Sequence, residues 1–336
     1  MKISEQIFQL KRETNAITLN PILSLIDIEI VQHFEAKALI DENYRRKLKN
    51  ISNNLKGLTF EYTKKYQDIF NSYNELIVFE LINNKTDVSV EFIKEEKGNK
   101  TPDFKISSKD SFIFSDLKTL NFADGNNNYI EIQKDSFESN VKLEKQIKNS
   151  HRGLFFGDPV SISPFKKGSN FGHFDIKSII EEIISKVISL YKPKQINYLG
   201  SNGILIIDTT QLLVPASLNQ GLPITRGFQY GELNSGILWN VAFGEIGDPT
   251  YTWIEFEGKP NIGEKLKKNG ILKDESFLEL KAIAFITNDI EQKKIIGFHR
   301  TNETDESLLI VLNKICDFVN DETNSRFWEI DEHASR

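Results

Sequence analysis

Cysteine is almost absent from this sequence, and its scarcity excludes two kinds of site. Cys316 is the only cysteine among 336 residues, so the chain can form neither an intramolecular disulfide nor a zinc site with two cysteine ligands. Cys316 lies in an apolar, helix-like stretch, where we expect a buried small side chain and not a nucleophile. A chain of this length, with 39% hydrophobic residues, can build a core without covalent cross-links.

Long apolar runs and the common cofactor motifs are missing as well. No run of about 18 apolar residues occurs, so no membrane-spanning helix is predicted, and the charged residues 1–13 do not resemble a signal peptide. We therefore expect a cytoplasmic protein. The five histidines have no metal-ligand spacing, and the glycines form no phosphate-binding loop. The net charge of −6 argues against a protein that coats nucleic acid without specificity.

The pattern of apolar residues predicts an α/β protein with three regions. Residues 1–65 form a helical region, because polar and apolar residues alternate with helical periodicity from 22 to 48 and again from residue 60. Residues 66–215 form an α/β core. Residues 216–336 form a C-terminal α/β region, which is either a second domain or an extension of the same sheet.

Within the core, three short strands with short connections predict an antiparallel meander. A continuous apolar run near residue 206 predicts a later strand that is buried on both faces. The predicted strands of the chain are 87–93, 102–106, 112–120, a short strand at 153–156, 203–209, 237–243, 250–256, 282–286 and 294–298. The predicted helices after residue 84 are 130–149, 175–191 and 306–320.

The candidate catalytic and metal-binding residues lie between residues 74 and 120. Asp116 and Lys118 are two positions apart on a strand, so their side chains project from the same face, about 7 Å apart along it. Asp103 opens the preceding strand and comes near Asp116 if the two strands pair through the turn at 107–111. Two neighbouring carboxylates repel each other, and a divalent cation relieves the repulsion. Carboxylate oxygens select Mg²⁺ or Mn²⁺ over zinc, and the carbonyl oxygen of Leu117 is a further candidate ligand.

Glu80 is the fourth candidate residue. It lies in a helix that is apolar on most sides, where a glutamate is costly unless it has a partner or a ligand. Glu75, nearer the polar end of the same helix, is the less favoured candidate.

The order of these residues resembles the PD-(D/E)XK superfamily of phosphodiesterases, which includes restriction endonucleases. The resemblance covers residues 66–215 and rests on a helix glutamate, the Pro102–Asp103 pair and the Asp-x-Lys motif of Asp116 and Lys118. It implies a restriction-endonuclease-like core, a mixed central sheet flanked by helices in the order helix, three strands, helix, strand. It also implies that Glu80, Asp103 and Asp116 bind metal and that Lys118 positions or activates water.

Members of this superfamily often carry a further polar residue in the helix after the third strand, and Gln146 is the candidate here. The function implied is metal-dependent hydrolysis of phosphodiester bonds in nucleic acid, with DNA as the favoured substrate and restriction or phage defence as the role. Two alternatives stay open, a catalytically silent module that binds nucleic acid or protein, and a nuclease that cleaves RNA. The sequence also leaves open a homo-oligomer or a partner subunit.

Overall fold

The computed structural model describes most of the chain, in segments. These segments are residues 2–13, 21–58, 63–94, 101–109, 111–120, 128–149, 153–155, 176–200, 203–212, 221–227, 232–251, 262–288, 292–301 and 305–323. The helices are α1 (Ile3–Glu13), α2 (Pro21–Ser24), α3 (Ile28–Lys37), α4 (Glu42–Leu55), α5 (Thr63–Asn83), α6 (Asn128–Asn149), α7 (Ile176–Leu190), α8 (Pro193–Ile196), α9 (Ile237–Phe243) and α10 (Glu306–Ile315). The strands are β1 (Ser89–Phe92), β2 (Phe104–Ser108), β3 (Ser111–Thr119), β4 (Gly203–Asp208), β5 (Ile224–Gly227), β6 (Glu232–Ser235), β7 (Pro249–Tyr251), β8 (Ile262–Lys265), β9 (Ala282–Asn288), β10 (Lys293–His299) and β11 (Phe318–Asp321).

The chain divides into two compact units. The first contains residues 1–80 and 121–167, and the second contains residues 81–120 and 168–336. The three regions predicted from the sequence, with bounds at residues 65 and 215, stay a prediction. In the described part of the chain, no helix is both long enough and apolar enough to cross a membrane.

The first unit is helical. α1, α3 and α4 pack against one another, around buried aromatic side chains that include Phe34 and Tyr44. The predicted periodic stretch 22–48 is divided into several helices, because two aspartates cap new helix starts. Asp27 accepts hydrogen bonds from the first turn of α3, and Asp41 does the same for α4. Such caps satisfy backbone N–H groups that have no partner within the helix.

The second unit is built on a seven-stranded mixed sheet with the strand order β1-β2-β3-β4-β9-β10-β11. β1, β2 and β3 pair antiparallel, β4 is parallel to β3, and β9 is parallel to β4. β10 then pairs antiparallel with β9 and parallel with β11. The predicted meander and the mixed α/β class are therefore confirmed. The C-terminal strands β9 to β11 extend the same sheet, which answers one of the questions that the sequence left open.

Helices cover the two faces of this sheet. α10 packs on β2, β3, β10 and β11, and it approaches β10 closely at Gly297. A Cβ added there would lie 2.8 Å from Cys316 Sγ and 3.2 Å from Leu312 Cδ1, so only glycine lets the helix pack this near. On the other face, the ring of Phe243 in α9 meets Phe298 of β10 at a centroid distance of 5.8 Å.

Three predicted elements were wrong. The first is the short strand 153–156, because its described residues 153–155 are not in a strand. Ile237–Phe243 is a helix, and every residue in it is buried. A fully buried helix has no polar face, so its apolar run is indistinguishable from that of a buried strand. The predicted helix 306–320 ends at Ile315, and Phe318–Asp321 forms β11 beside β10. Of the predicted strand 250–256, the first residues lie in β7, and residues 252–256 lie outside the described residues.

Candidate metal and catalytic site

Asp103 and Asp116 are brought side by side by the pairing of β2 with β3. Phe104 is opposite Ser115 in the antiparallel register, and the N–H of Asp103 donates to the carbonyl of Ser115 at 3.0 Å. This bond holds Asp103, the residue just before β2, beside the segment of β3 that carries Asp116. The two carboxyl groups are close enough for the charge of Asp103 to act on Asp116.

The side chain of Asp103 also bonds to the backbone of β3, just before β2 begins. Its Oδ2 accepts a hydrogen bond of 2.7 Å from the backbone N–H of Leu117, a group that would otherwise lack an acceptor on that side of the strand. The carboxylate is thus fixed by the backbone between Asp116 and Lys118. The proposed ligand role of the Leu117 carbonyl stays a prediction.

Asp116 is fully buried. Its neighbour in the parallel register is Leu205 of β4, so apolar side chains border it on that side. Burial, followed by the negative charge of Asp103, raises the pKa of Asp116 to about 7 from its ordinary value of 3.8, against the opposing effect of Lys118. Two carboxylates placed together in a poorly hydrated environment favour a bound proton or a cation.

Lys118 provides the positive charge of this cluster. Its Nζ lies 2.5 Å from Oδ2 of Asp116, and its side chain is only 12% exposed. The contact is a close ion pair, and it lowers the pKa of Asp116 against the effects of burial and of Asp103. Lys118 also donates to Oε1 of Gln195 in α8 at 3.3 Å. The structure therefore brings Asp103, Asp116 and Lys118 together, as the sequence predicted.

Gln195 is the residue that the sequence did not identify. It lies in a short helix beginning at Pro193, a segment that carries no motif, and its contact with Lys118 depends on how α8 packs on β3 and β4. The glutamine selected from the sequence, Gln146, lies instead in α6 of the first unit, with an exposed side chain. Its predicted role stays a prediction.

Glu80 belongs to the first unit, where it is paired with basic side chains. His33 Nε2 lies 2.8 Å from its Oε1, and Lys37 donates to the same oxygen. Burial would raise the pKa of Glu80, but the hydrogen bonds from Lys37 and His33 outweigh it and lower that pKa. On the same helix, Glu75 pairs with Lys47. Both candidate glutamates of α5 are therefore neutralised by cations of the first unit.

The donor atoms of the Asp103–Asp116 pair fit Mg²⁺ or Mn²⁺. These ions prefer carboxylate and carbonyl oxygens, and a cation would relieve the repulsion that raises the pKa of Asp116. In the described part of the chain, no group of three or more His, Cys, Asp or Glu side chains is placed to hold a metal ion. The candidate ligand set that the structure brings together is accordingly the two aspartates.

Comparison of the chain with protein-family models, with curated proteins and with solved structures found no match.

Proposed function

We propose that this protein is a divalent-metal-dependent nuclease of the PD-(D/E)XK type, which hydrolyses phosphodiester bonds in DNA. The observation that carries this proposal is the cluster of Asp103, Asp116 and Lys118. Two carboxylates and a lysine lie together where β2 begins beside β3. Placing three charged groups there is costly unless they serve a site.

The arrangement of the sheet supports the fold assignment within this proposal. The resemblance implies a mixed sheet flanked by helices, with the elements in the order helix, three strands, helix, strand. Here β1, β2 and β3 form the meander, helices follow, and β4 lies parallel to β3. The cluster lies on the third strand and at the start of the second, as the superfamily pattern requires.

Each residue of the cluster has a role that follows from its chemistry. Asp103 and Asp116 would hold Mg²⁺ or Mn²⁺, which supplies positive charge that stabilises the charge developing on the phosphate. Lys118 cannot be a metal ligand while it is protonated. Its Nζ instead donates a hydrogen bond to the attacking water or to a phosphate oxygen, and so orients the nucleophile.

The experiment that tests this function is incubation of the purified protein with supercoiled plasmid DNA. We expect nicked or linear product with Mn²⁺ or Mg²⁺ and none with EDTA. Asp116→Asn is the matched control, because it keeps the shape of the side chain and removes the charge. If this variant cleaves as fast as the original protein, the site assignment is wrong. Cleavage by a contaminating nuclease would give the same equal rates, so the variant also controls for contamination.

A catalytically silent nuclease-fold module that binds nucleic acid or protein is the alternative. The pairing of Glu80 with His33 and Lys37 favours it, because that carboxylate already has cationic partners. Binding of labelled DNA without cleavage under all metal conditions would support this alternative. Labelled RNA in parallel reactions tests the third possibility, an RNA-cleaving nuclease.

A further inference from the structure

Gln195 connects the lysine of the candidate site to the segment that leads into β2. Its side chain is buried, with 9% of the residue exposed. Its Oε1 accepts the hydrogen bond from Lys118 Nζ at 3.3 Å, and its Nε2 donates to the carbonyl of Thr101 at 2.7 Å. Thr101 is itself buried and precedes Asp103 by two residues.

The two ends of the amide match their partners in only one orientation. A protonated lysine only donates hydrogen bonds and a backbone carbonyl only accepts them, so the oxygen of Gln195 must face Lys118 and the nitrogen must face Thr101. A glutamate here would direct a carboxylate oxygen at the Thr101 carbonyl. A leucine would leave that buried carbonyl without this donor. Glutamine is thus the side chain of this length that satisfies both neighbours.

This contact restrains a side chain that is otherwise flexible. A lysine has four rotatable bonds, and holding its amino group in one place costs conformational entropy. Lys118 is held from two sides, by the carboxylate of Asp116 and by the amide of Gln195. Because α8 packs on β3 and β4, the amide is fixed by the same sheet that carries both aspartates.

We propose that Gln195 is a positioning residue of the nuclease site, which holds the amino group of Lys118 in the orientation required for hydrolysis. The proposal rests on the proposed function, because it assigns Gln195 a role in that reaction. Gln195 contacts neither the metal ligands nor the substrate in this scheme and acts only through Lys118. Its removal should therefore lower kcat while leaving KM and metal affinity near their original values.

The test is a double-mutant cycle with Gln195→Leu and Lys118→Met, measured as single-turnover cleavage of a labelled DNA duplex with Mn²⁺. A misplaced catalytic group costs up to about 100-fold in rate, and we expect Gln195→Leu to lower the rate about 10- to 100-fold. In the Lys118→Met background it should lower the rate no further, since the group that it positions is gone. Metal affinity is measured by calorimetric titration with Mn²⁺.

Two further variants separate positioning from folding. Gln67→Leu is the matched control, because Gln67 is also a buried glutamine but bonds to Asn71 within α5, and it should cleave at the original rate. Gln195→Asn replaces Gln195→Leu if the latter does not fold. Its shorter amide cannot reach both partners, so we expect a rate between those of the original protein and Lys118→Met.

The outcomes distinguish this proposal from the proposed function. If the original protein does not cleave with any metal, both fail. If it cleaves but Gln195→Leu keeps the full rate, or if the two substitutions multiply in the double variant, only the role of Gln195 fails. A lowered rate that does not fall further in the Lys118→Met background supports both.

Discussion

The backbone N–H of Leu117 donates a hydrogen bond of 2.7 Å to Oδ2 of Asp103. The carboxylate that immediately precedes β2 is thereby held by the strand that carries Asp116. Asp103 consequently has two separable effects, one through its hydrogen bond and one through its charge.

Asp103→Asn should separate these effects. The asparagine keeps an oxygen for the N–H of Leu117 but removes the charge that repels Asp116, so we expect the pKa of Asp116 to fall and Mn²⁺ affinity to be largely lost. Asp103→Ala should be less stable than Asp103→Asn by about 1 kcal/mol, because the N–H loses its acceptor. Calorimetric titration and urea unfolding measure the two effects. Unchanged Mn²⁺ affinity in Asp103→Asn would show that this carboxylate is no ligand.

The raised pKa of Asp116 predicts how the metal-free protein responds to pH. Between its ordinary value of 3.8 and about 7, the folded protein keeps a proton that the unfolded chain releases. The contribution of Asp116 to the free energy of unfolding is therefore greatest below about pH 4, is lost as the pH rises to about 7, and changes little above that. A shift of this size corresponds to a loss of about 4 kcal/mol.

Urea unfolding between pH 4 and pH 8 in EDTA measures this loss. Asp116→Asn should flatten the profile, because the amide does not titrate. Saturating Mg²⁺ should also reduce the loss, since a cation bound to the folded protein replaces the proton. If the free energy of unfolding rises between pH 4 and pH 8 by the same amount in the original protein and in Asp116→Asn, the raised pKa is wrongly assigned to Asp116.

Lys118→Met should greatly slow cleavage and leave Mn²⁺ binding largely in place. The lysine acts on water or phosphate and is not a metal ligand. Its loss therefore removes an interaction that stabilises the transition state of hydrolysis. Methionine fills similar volume without charge, which also leaves the buried Asp116 without its nearest cation. Single-turnover cleavage and calorimetry are the measurements. Complete loss of Mn²⁺ binding would instead assign Lys118 a structural role.

Glu80→Gln and Glu75→Gln form a matched pair on α5. Each variant removes an ion pair of a partly buried carboxylate, so both should lose about 1 kcal/mol of stability. A role of Glu80 in catalysis predicts in addition that cleavage is lost in Glu80→Gln and kept in Glu75→Gln. Equal cleavage by the two variants would limit Glu80 to its pairing with Lys37 and His33. The opposite result would identify Glu75 as the functional glutamate.

Local periodicity accounts for what could be predicted of the fold. β1 to β4, β9 and β10 have short apolar patterns with turns between them, and each was found within a few residues of its predicted bounds. Ile237–Phe243 was misassigned because this helix is buried on all sides, against α7 and the sheet. A helix without an exposed face has no polar residues at helical spacing, so its sequence lacks the helical pattern. β11 was missed because it has only four residues, too few to show an alternation of polar and apolar side chains. It is a strand because it pairs in parallel with β10.

The sequence by itself determined the placement of Asp116 and Lys118 on one face of a strand, because side chains alternate with a period of two in any strand. It also indicated Asp103, because this residue opens the strand that was predicted to pair with the strand of Asp116. Only the tertiary structure decided that Asp103 binds the backbone of Leu117, that Asp116 is fully buried and that Gln195 holds Lys118. Those contacts join residues up to 77 positions apart, and they depend on strand register and helix packing, which no local pattern encodes.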